Sequence, residues 1–351
     1  MNETLTYKVF TIADLEDWLV HNKANGITDR IISRARAYAF INNPHAKKED
    51  AVIAVVFDGD VAIGYTAAYA EKWVRPALPD RYFWGSTQWL EPEYRGKGAS
   101  WNMMRQIKDA VNDRYVALDS SIASCKLDKK QGYKILYYPR YFFVLDASSR
   151  GIKALCKRLL VSVRNRKALH HISRDSFTNR YVSFIDDATY SFIEAHSDGD
   201  LFLRKQDYLN WQMRYPFLVA TNGDNNAEKE TCEFGSYVNR QYLQMVQVYV
   251  SGVLCGFYVL NTIDETCKPL YLYYDEAYKD DVFTSLVSNV FSVAKLKRFS
   301  TFSAELYEWM KNNGFVSMFS KSCIEQISFT VPADFSMEFD ARVQCGDGDM
   351  M

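Results

Sequence analysis

The sequence has no C-x-x-C pair. Its seven cysteines, Cys125, Cys156, Cys232, Cys255, Cys267, Cys323 and Cys345, are odd in number and scattered along 351 residues. That spacing argues against a disulfide framework or a zinc site and for reduced thiols. No apolar run approaches the roughly 20 residues that span a bilayer. The opening MNETLTYKVF has neither the basic start nor the apolar core of a secretory signal. A cytoplasmic protein is expected. Net charge is also lacking: 42 Lys and Arg against 43 Asp and Glu leave −1, so there is no global attraction to nucleic acid. The five histidines, His21, His45, His170, His171 and His196, match no metal spacing. Adjacent His170 and His171 cannot share a helix face, so no metal is expected.

What is present is an ordinary globular composition, 48% apolar and 24% charged, in a chain long enough for two domains. Twenty-four Tyr and 22 Phe suggest aromatic-rich sheets. Residues 11–22 and 28–41 read as helices. AVIAVVFDGDVAIGYTAAYAE reads as a hairpin about Asp58-Gly59-Asp60. A strand follows from Arg81 to Leu90, then a loop and a helix from Ala99 to Tyr115. YVALDSSI is a strand, SCKLDKKQG a short helix, and YKILYYPRYFFVLD one long strand or two joined at Pro139. This predicts a mixed α/β domain over residues 1–147.

Residues 148–172 read as a basic linker helix. RGIKALCKRLLVSVRNRK has seven Lys or Arg and no acid, with Ile152, Leu155, Cys156, Leu159, Leu160 and Val163 at helical spacing. The expectation is a helix that packs this stripe across both domains and leaves its basic face in water. The alternative is weak contact of residues 150–167 with anionic lipid or a lipid-linked substrate. Residues 173–335 repeat the element order of the first half, including a hairpin about Ser251-Gly252, so a tandem duplication is inferred. From residue 336 on, SMEFDARVQCGDGDMM reads as a loosely held tail.

The stretch LEPEYRGKGASWNMMRQI carries the strongest functional signal. Gly96 and Gly98 stand between a strand and a helix, with Arg95 and Lys97 alongside. Backbone N–H groups of such a loop, feeding a helix N-terminus, form an anion site. The Rossmann fingerprint fails at Trp101, where a third glycine is needed, and the Walker pattern is absent.

In its strand-loop-helix context, PEYRGKGAS resembles the acyl-CoA pyrophosphate loop of the GNAT N-acetyltransferases. The family's Q/R-x-x-G-x-G/A falls on Glu93 to Gly98, with Glu93 departing at the first position. The QGY of Gln131 to Tyr133 resembles a later family turn. The resemblance implies two tandem GNAT-like acyl-CoA N-acyltransferase folds. It also implies an acetyl-CoA (acyl-CoA) co-substrate lying in a split between two strands. Trp89 and Leu90 would pair with the pantetheine arm. Tyr94, Arg95, Gly96, Lys97, Gly98, Ala99 and Ser100 would hold the pyrophosphate.

The implied reaction is attack of a primary amine on the thioester, with a base for the ammonium, an acid for the thiolate and main-chain N–H for the oxyanion. The family's tyrosine acid falls on Asp128, and its frequent asparagine on Ser121. Carboxylates at strand ends, Glu71 and Asp119, are candidate bases, and Asp128 is a candidate acid. In the second half the corresponding stretch, YDEAYKDDVFTS, has no glycine and four acids, so it is expected not to bind CoA. DYLNWQMRYPF loosely resembles a segment of tandem GNAT-like proteins, and Trp211, Arg214 and Tyr215 are candidate acceptor-groove residues. The expected partner is a small-molecule amine, with an amino sugar as first candidate, and not nucleic acid. The rival readings are a non-catalytic acyl-CoA-binding scaffold and an aminoacyl-tRNA-dependent transferase.

Overall fold

The computed structural model describes residues 5–23, 26–28, 31–72, 81–146, 151–172, 176–202, 204–215, 218–220, 237–318, 323–335 and 342–348. The first half runs β1 (Thr6–Thr11), α1 (Ile12–Leu19), α2 (Arg34–Ile41), β2 (Ala51–Asp58), β3 (Val61–Lys72), β4 (Arg81–Leu90), α3 (Ala99–Ala110), β5 (Tyr115–Leu118), α4 (Ile122–Lys130) and β6 (Lys134–Val144). Then α5 (Ile152–Ile172) connects to the second half. That half runs β7 (Phe177–Val182), α6 (Asp187–Ala195), α7 (Gln206–Arg214), β8 (Val219–Ala220), β9 (Tyr237–Val238), β10 (Gln241–Val250), β11 (Val253–Ile263), β12 (Thr266–Tyr274), α8 (Lys279–Ser292), β13 (Arg298–Thr301), α9 (Ala304–Asn312) and β14 (Ile324–Val331).

Twelve strands form one sheet in the order β1-β2-β3-β4-β5-β14-β6-β13-β12-β11-β10-β7. Read from either end, this order is the same pattern: four antiparallel strands, a parallel pairing onto the fifth, then the last strand of the other half. β14 lies between β5 and β6, and β6 between β14 and β13. Each half is therefore completed by a strand from its duplicate, and the antiparallel β14–β6 pair marks a pseudo-twofold centre. Pro139 stays inside a single unbroken β6, opposite Gln326.

The local devices repeat as well. The two hairpins turn at Gly59-Asp60 and Ser251-Gly252, and the second has φ of 51° and 81° at its two turn residues, suiting a primed turn. Each second hairpin strand carries the extra residue of a bulge at the same distance from its turn, Ile63 in β3 and Cys255 in β11. β2 and β3 are buried nearly throughout, because α3 covers one face and α1 and α2, with Tyr208 and Trp211 of the second half, cover the other.

Three boundaries differ from the sequence reading. β1 is a strand in a stretch to which the sequence assigned no element; its alternating burial is that of an edge strand. The second helix starts at Arg34, not at residue 28, because Ser33 Oγ accepts the Arg36 N–H and caps it there. The helix from Ala99 stops at Ala110, where Asn112 and Asp113 turn to positive φ. One apolar cluster joins the halves, with Trp84 packed on Phe202 and Phe329, and Tyr69 on Trp211.

Candidate active site

β4 and β5 are hydrogen-bonded only at Phe83–Tyr115 and Trp84–Val116. β4 then continues to Leu90 without β5 beside it, so the sheet splits. A cavity of about 350 Å³ fills the opening, lined by Gln88, Trp89, Leu90 and Arg95 on one side and Ser121, Ala123, Ser124 and Leu127 on the other. Gly96 and Ser100 close its end. The β3–β4 register jumps from Ala67–Thr87 to Ala68–Gly85, which makes Ser86 the extra residue of a bulge. A bulged residue is left out of the ladder, so Ser86 has no partner residue on β3.

The loop after β4 is built for an anion. Gly96 and Gly98 have φ of 77° and 88°, and Gly98 forms the N-cap of α3 without any capping side chain. The first amides of α3 thus lack both intrahelical partners and a cap. A Cβ at Gly96 or Gly98 would meet nothing within 4 Å, so a ligand can approach both. Lys97 is exposed, with its ammonium 5.8 Å from the Tyr94 ring centre. Tyr94 itself is tied to Asp58 through its hydroxyl, and Ala99 is buried beneath the loop. Arg95 Nε donates to the Leu90 carbonyl at 2.8 Å. That uses one of the two lone pairs of the carbonyl, and the other stays open to the expected pantetheine pairing.

The second half repeats the split. β12 and β13 pair only at Thr266–Arg298 and Cys267–Phe299, and the β11–β12 register makes Leu270 the extra residue. Here the opening is occupied by the chain itself. Gly346 N donates to the Leu270 carbonyl at 2.8 Å, and Leu272 N donates to Gln344 Oε1 at 2.9 Å. Arg342, Val343, Gln344 and Cys345 wall off what remains, a cavity of about 220 Å³. The N-terminus of α8 carries Asp280 and Asp281, bound by Trp309 Nε1 and Ser176 Oγ. The tail expected to be loose is thus, over residues 343–347, a buried part of the fold. Gly348 passes so close that a Cβ there would stand 2.6 Å from the Trp84 ring.

Where the tail crosses to the first half, it meets a buried charge cluster. Arg204 donates from Nε and Nη2 to Asp347 Oδ1 at 3.1 and 2.9 Å, and its Nη1 lies 3.1 Å from Glu71 Oε1. All three side chains are buried. Glu71 also accepts from Trp84 Nε1 and the Tyr208 hydroxyl. Burial raises the Glu71 carboxyl, against the pull of Arg204. Burial likewise pushes the Asp347 carboxyl up to about 7, again opposed by Arg204.

Asp347 lines a second cavity, of about 180 Å³, at the meeting of the two halves. Gly85 and Ser86 supply its β4 wall, so it adjoins the inner end of the first split. Asp119, Arg140, Lys268 and Ser300 complete it. Asp119 sits at positive φ after β5 and is paired with Arg140 Nη1 at 2.7 Å.

The remaining candidates are elsewhere. Asp128, the candidate acid, lies on α4. It is fully buried, 2.7 Å from Lys108 Nζ, and accepts from Thr330 Oγ1 on β14, which makes it a clamp between the halves. Trp211 does not line an acceptor groove: it is core, with Nε1 donating to the Ala39 carbonyl at 2.8 Å. Arg214 is exposed and lies over its neighbour Tyr215, which packs on the main core. Arg204 and Asp347 escaped the sequence reading. The CGDGD of the tail reads as turn-forming and polar, and only the fold places its first aspartate beside a cation.

No family model matches this chain, and no curated protein matches it. Among solved structures it is similar to a conserved protein of unknown function, a probable N-acyltransferase, from Enterococcus faecalis V583. The identity is 11% and the TM-score 0.51, over 94% of this chain and 73% of that one. It is also similar to a GCN5-related N-acetyltransferase from Kribbella flavida (14% identity, TM-score 0.48, 93% of this chain and 71% of that one). A third is a tandem GNAT protein from the clavulanic acid biosynthesis pathway (10%, 0.48, 95% and 100%). At such identities the likeness concerns the fold alone: an α/β mixed sheet of two GNAT-like units in tandem.

Removing Arg204 leaves two buried carboxylates without their cation. Arg204→Met is expected to cost about 3–5 kcal/mol in urea unfolding. Arg204→Lys should recover only part, because an ammonium lacks the fork that reaches both partners. Unchanged stability in both variants would contradict the cluster's role.

Proposed function

We propose that the chain is an acyl-CoA-dependent N-acyltransferase that moves an acetyl group from acetyl-CoA to a primary amine of a small molecule. The observation that carries this reading is the uncapped, glycine-lined N-terminus of α3 opening onto the cavity in the β4–β5 split. The N–H groups of about Gly96 to Ser100, with Lys97 and Arg95, would hold the pyrophosphate. The arm would run along β4 past Trp89 and Gln88. Bound there, acyl-CoA supplies an activated acyl carbon next to the bulge at Ser86.

The chain's own groups then have defined work. The Ser86 main chain, unpaired in the ladder, is the candidate donor to the oxygen that gains charge. The acceptor amine would enter through the 180 Å³ cavity. Asp347 is the proposed base: three donors occupy it, and an ionised carboxylate has about four acceptor directions, so one remains for the ammonium. After Asp347 takes one proton from the ammonium, the nitrogen–carbon bond forms, the carbon–sulfur bond breaks, and the thiolate takes up the second proton that the nitrogen sheds in becoming an amide. Asp119, with Arg140, would orient the acceptor. Glu71 acts through Arg204 and does not reach the acceptor cavity. Asp128 has no place in the chemistry. The second half gives the acceptor cavity its far wall and, its own split being filled, binds no CoA. An amino sugar is the first acceptor to assay, and the cavity volume favours a small molecule.

Calorimetric titration with acetyl-CoA is expected to show one site per chain. The Arg95→Glu, Gly98→Asp double variant should weaken it by at least about tenfold, through charge reversal at a phosphate contact. No binding at millimolar ligand would defeat the proposal.

The base must be ionised to work, and burial holds Asp347 well above an ordinary carboxylate. With any amine that is turned over, kcat/KM should therefore rise with pH through about 7, not through about 4. Asp347→Asn should lower kcat/KM about 10²- to 10⁴-fold while acetyl-CoA still binds. A variant that keeps the wild-type profile would remove Asp347 from the mechanism.

A further inference from the structure

The first three turns of α5 show an apolar stripe to solvent. Ile152, Leu155, Leu159, Leu160 and Val163 are between 51% and 80% exposed. At 3.6 residues per turn they lie within an arc of about 140° on one side of the helix. The buried residues Val161, Asn165, Ala168 and Ile172 lie on the opposite side. This is the reverse of the sequence expectation, in which the stripe packs across both domains. The seating is specific: Asn165 Nδ2 donates to the Val316 carbonyl at 3.0 Å and its Oδ1 accepts the Val316 N–H at 2.8 Å. Ala168 and Ile172 enter the core of the second half. The helix therefore cannot roll to bury the stripe without breaking that contact.

The charge around the stripe selects what covers it. α5 carries six Lys or Arg and no acid, in a chain whose net charge is −1. The positive charge is thus local. Lys153, Lys157, Arg164 and Lys167 are exposed and flank the apolar arc along one side. Their stems can lie on an apolar surface while their heads stay in the polar layer. Arg158 lies on the seated side, paired with Asp146. Docking a second copy through the same face would set these lysine-flanked stripes against each other. An anionic bilayer instead offers acyl chains to the stripe and phosphates to the flank. Among the described residues no helix is long and apolar enough to cross a membrane.

We propose that α5 is a peripheral docking helix for anionic lipid surfaces, lying in the headgroup plane with Ile152, Leu155, Leu159, Leu160 and Val163 inserted.

The full chain should cosediment with phosphatidylcholine vesicles containing about 30% phosphatidylglycerol and not with pure phosphatidylcholine, and raising the salt should release it. Leu155→Glu, Leu159→Glu, Leu160→Glu, at positions exposed in the fold, should weaken binding at least about tenfold without lowering Tm. Lys153→Glu, Lys157→Glu should weaken it as well. Absence of binding to the anionic vesicles, or equal binding by the triple variant, would overturn the proposal. So would a concentration-dependent dimer, seen by light scattering, that the triple variant abolishes and vesicles do not compete.

Discussion

The contact of Arg204 with Glu71 and Asp347 decides how the halves are joined. One guanidinium from the second half bridges a carboxylate at the end of a first-half strand and a carboxylate from the last described turn of the chain. Buried charges of this kind persist only when paired and hydrogen-bonded. The requirement therefore holds β3, the segment before α7 and the C-terminal turn in one place. It also keeps residues 342–348 in the second split, since Asp347 cannot leave without stranding Arg204.

The exchange of β6 and β14 gives this contact its setting. In the sheet order, neither half is complete without the other's last strand, and Asp128 with Lys108 and Thr330 fastens the exchanged strand to α3 and α4. A duplicated fold offers two splits. In one, glycines, a bare helix end and an open cavity remain. In the other, acids stand at the helix end and the chain's own Gly346 donates to the Leu270 carbonyl. The same architecture thus yields an open cleft and a filled one, and the filling segment delivers Asp347 to the boundary between them.

Much of the fold was legible because its signals are local. The Asp-Gly and Ser-Gly turns, the alternating strands and the loop at Gly96 and Gly98 depend on residues close in sequence, and their order revealed the duplication. The edge strand at Thr6–Thr11 was missed because a short alternating run next to a capped helix carries little periodic signal. Long-range facts were not legible. The pattern Leu-Asn-Trp-Gln cannot say that Trp211 is core, since an indole in a groove and one under a helix look the same in sequence. The burial of Asp128 was not legible because its lysine lies on another helix. The α5 stripe was legible as a stripe, but which way it faces is set by Asn165 and Val316.

The central claim is that donor binding belongs to the β4–β5 split while the β12–β13 split is sealed by the chain's own C-terminal segment. A crystal structure of the protein with coenzyme A tests it most directly. The expected result is one molecule per chain, its phosphates on the amides of residues 96–100, its thiol near Ser86, and Gly346 still bonded to Leu270. Coenzyme A between β12 and β13, with residues 342–348 displaced, would contradict it.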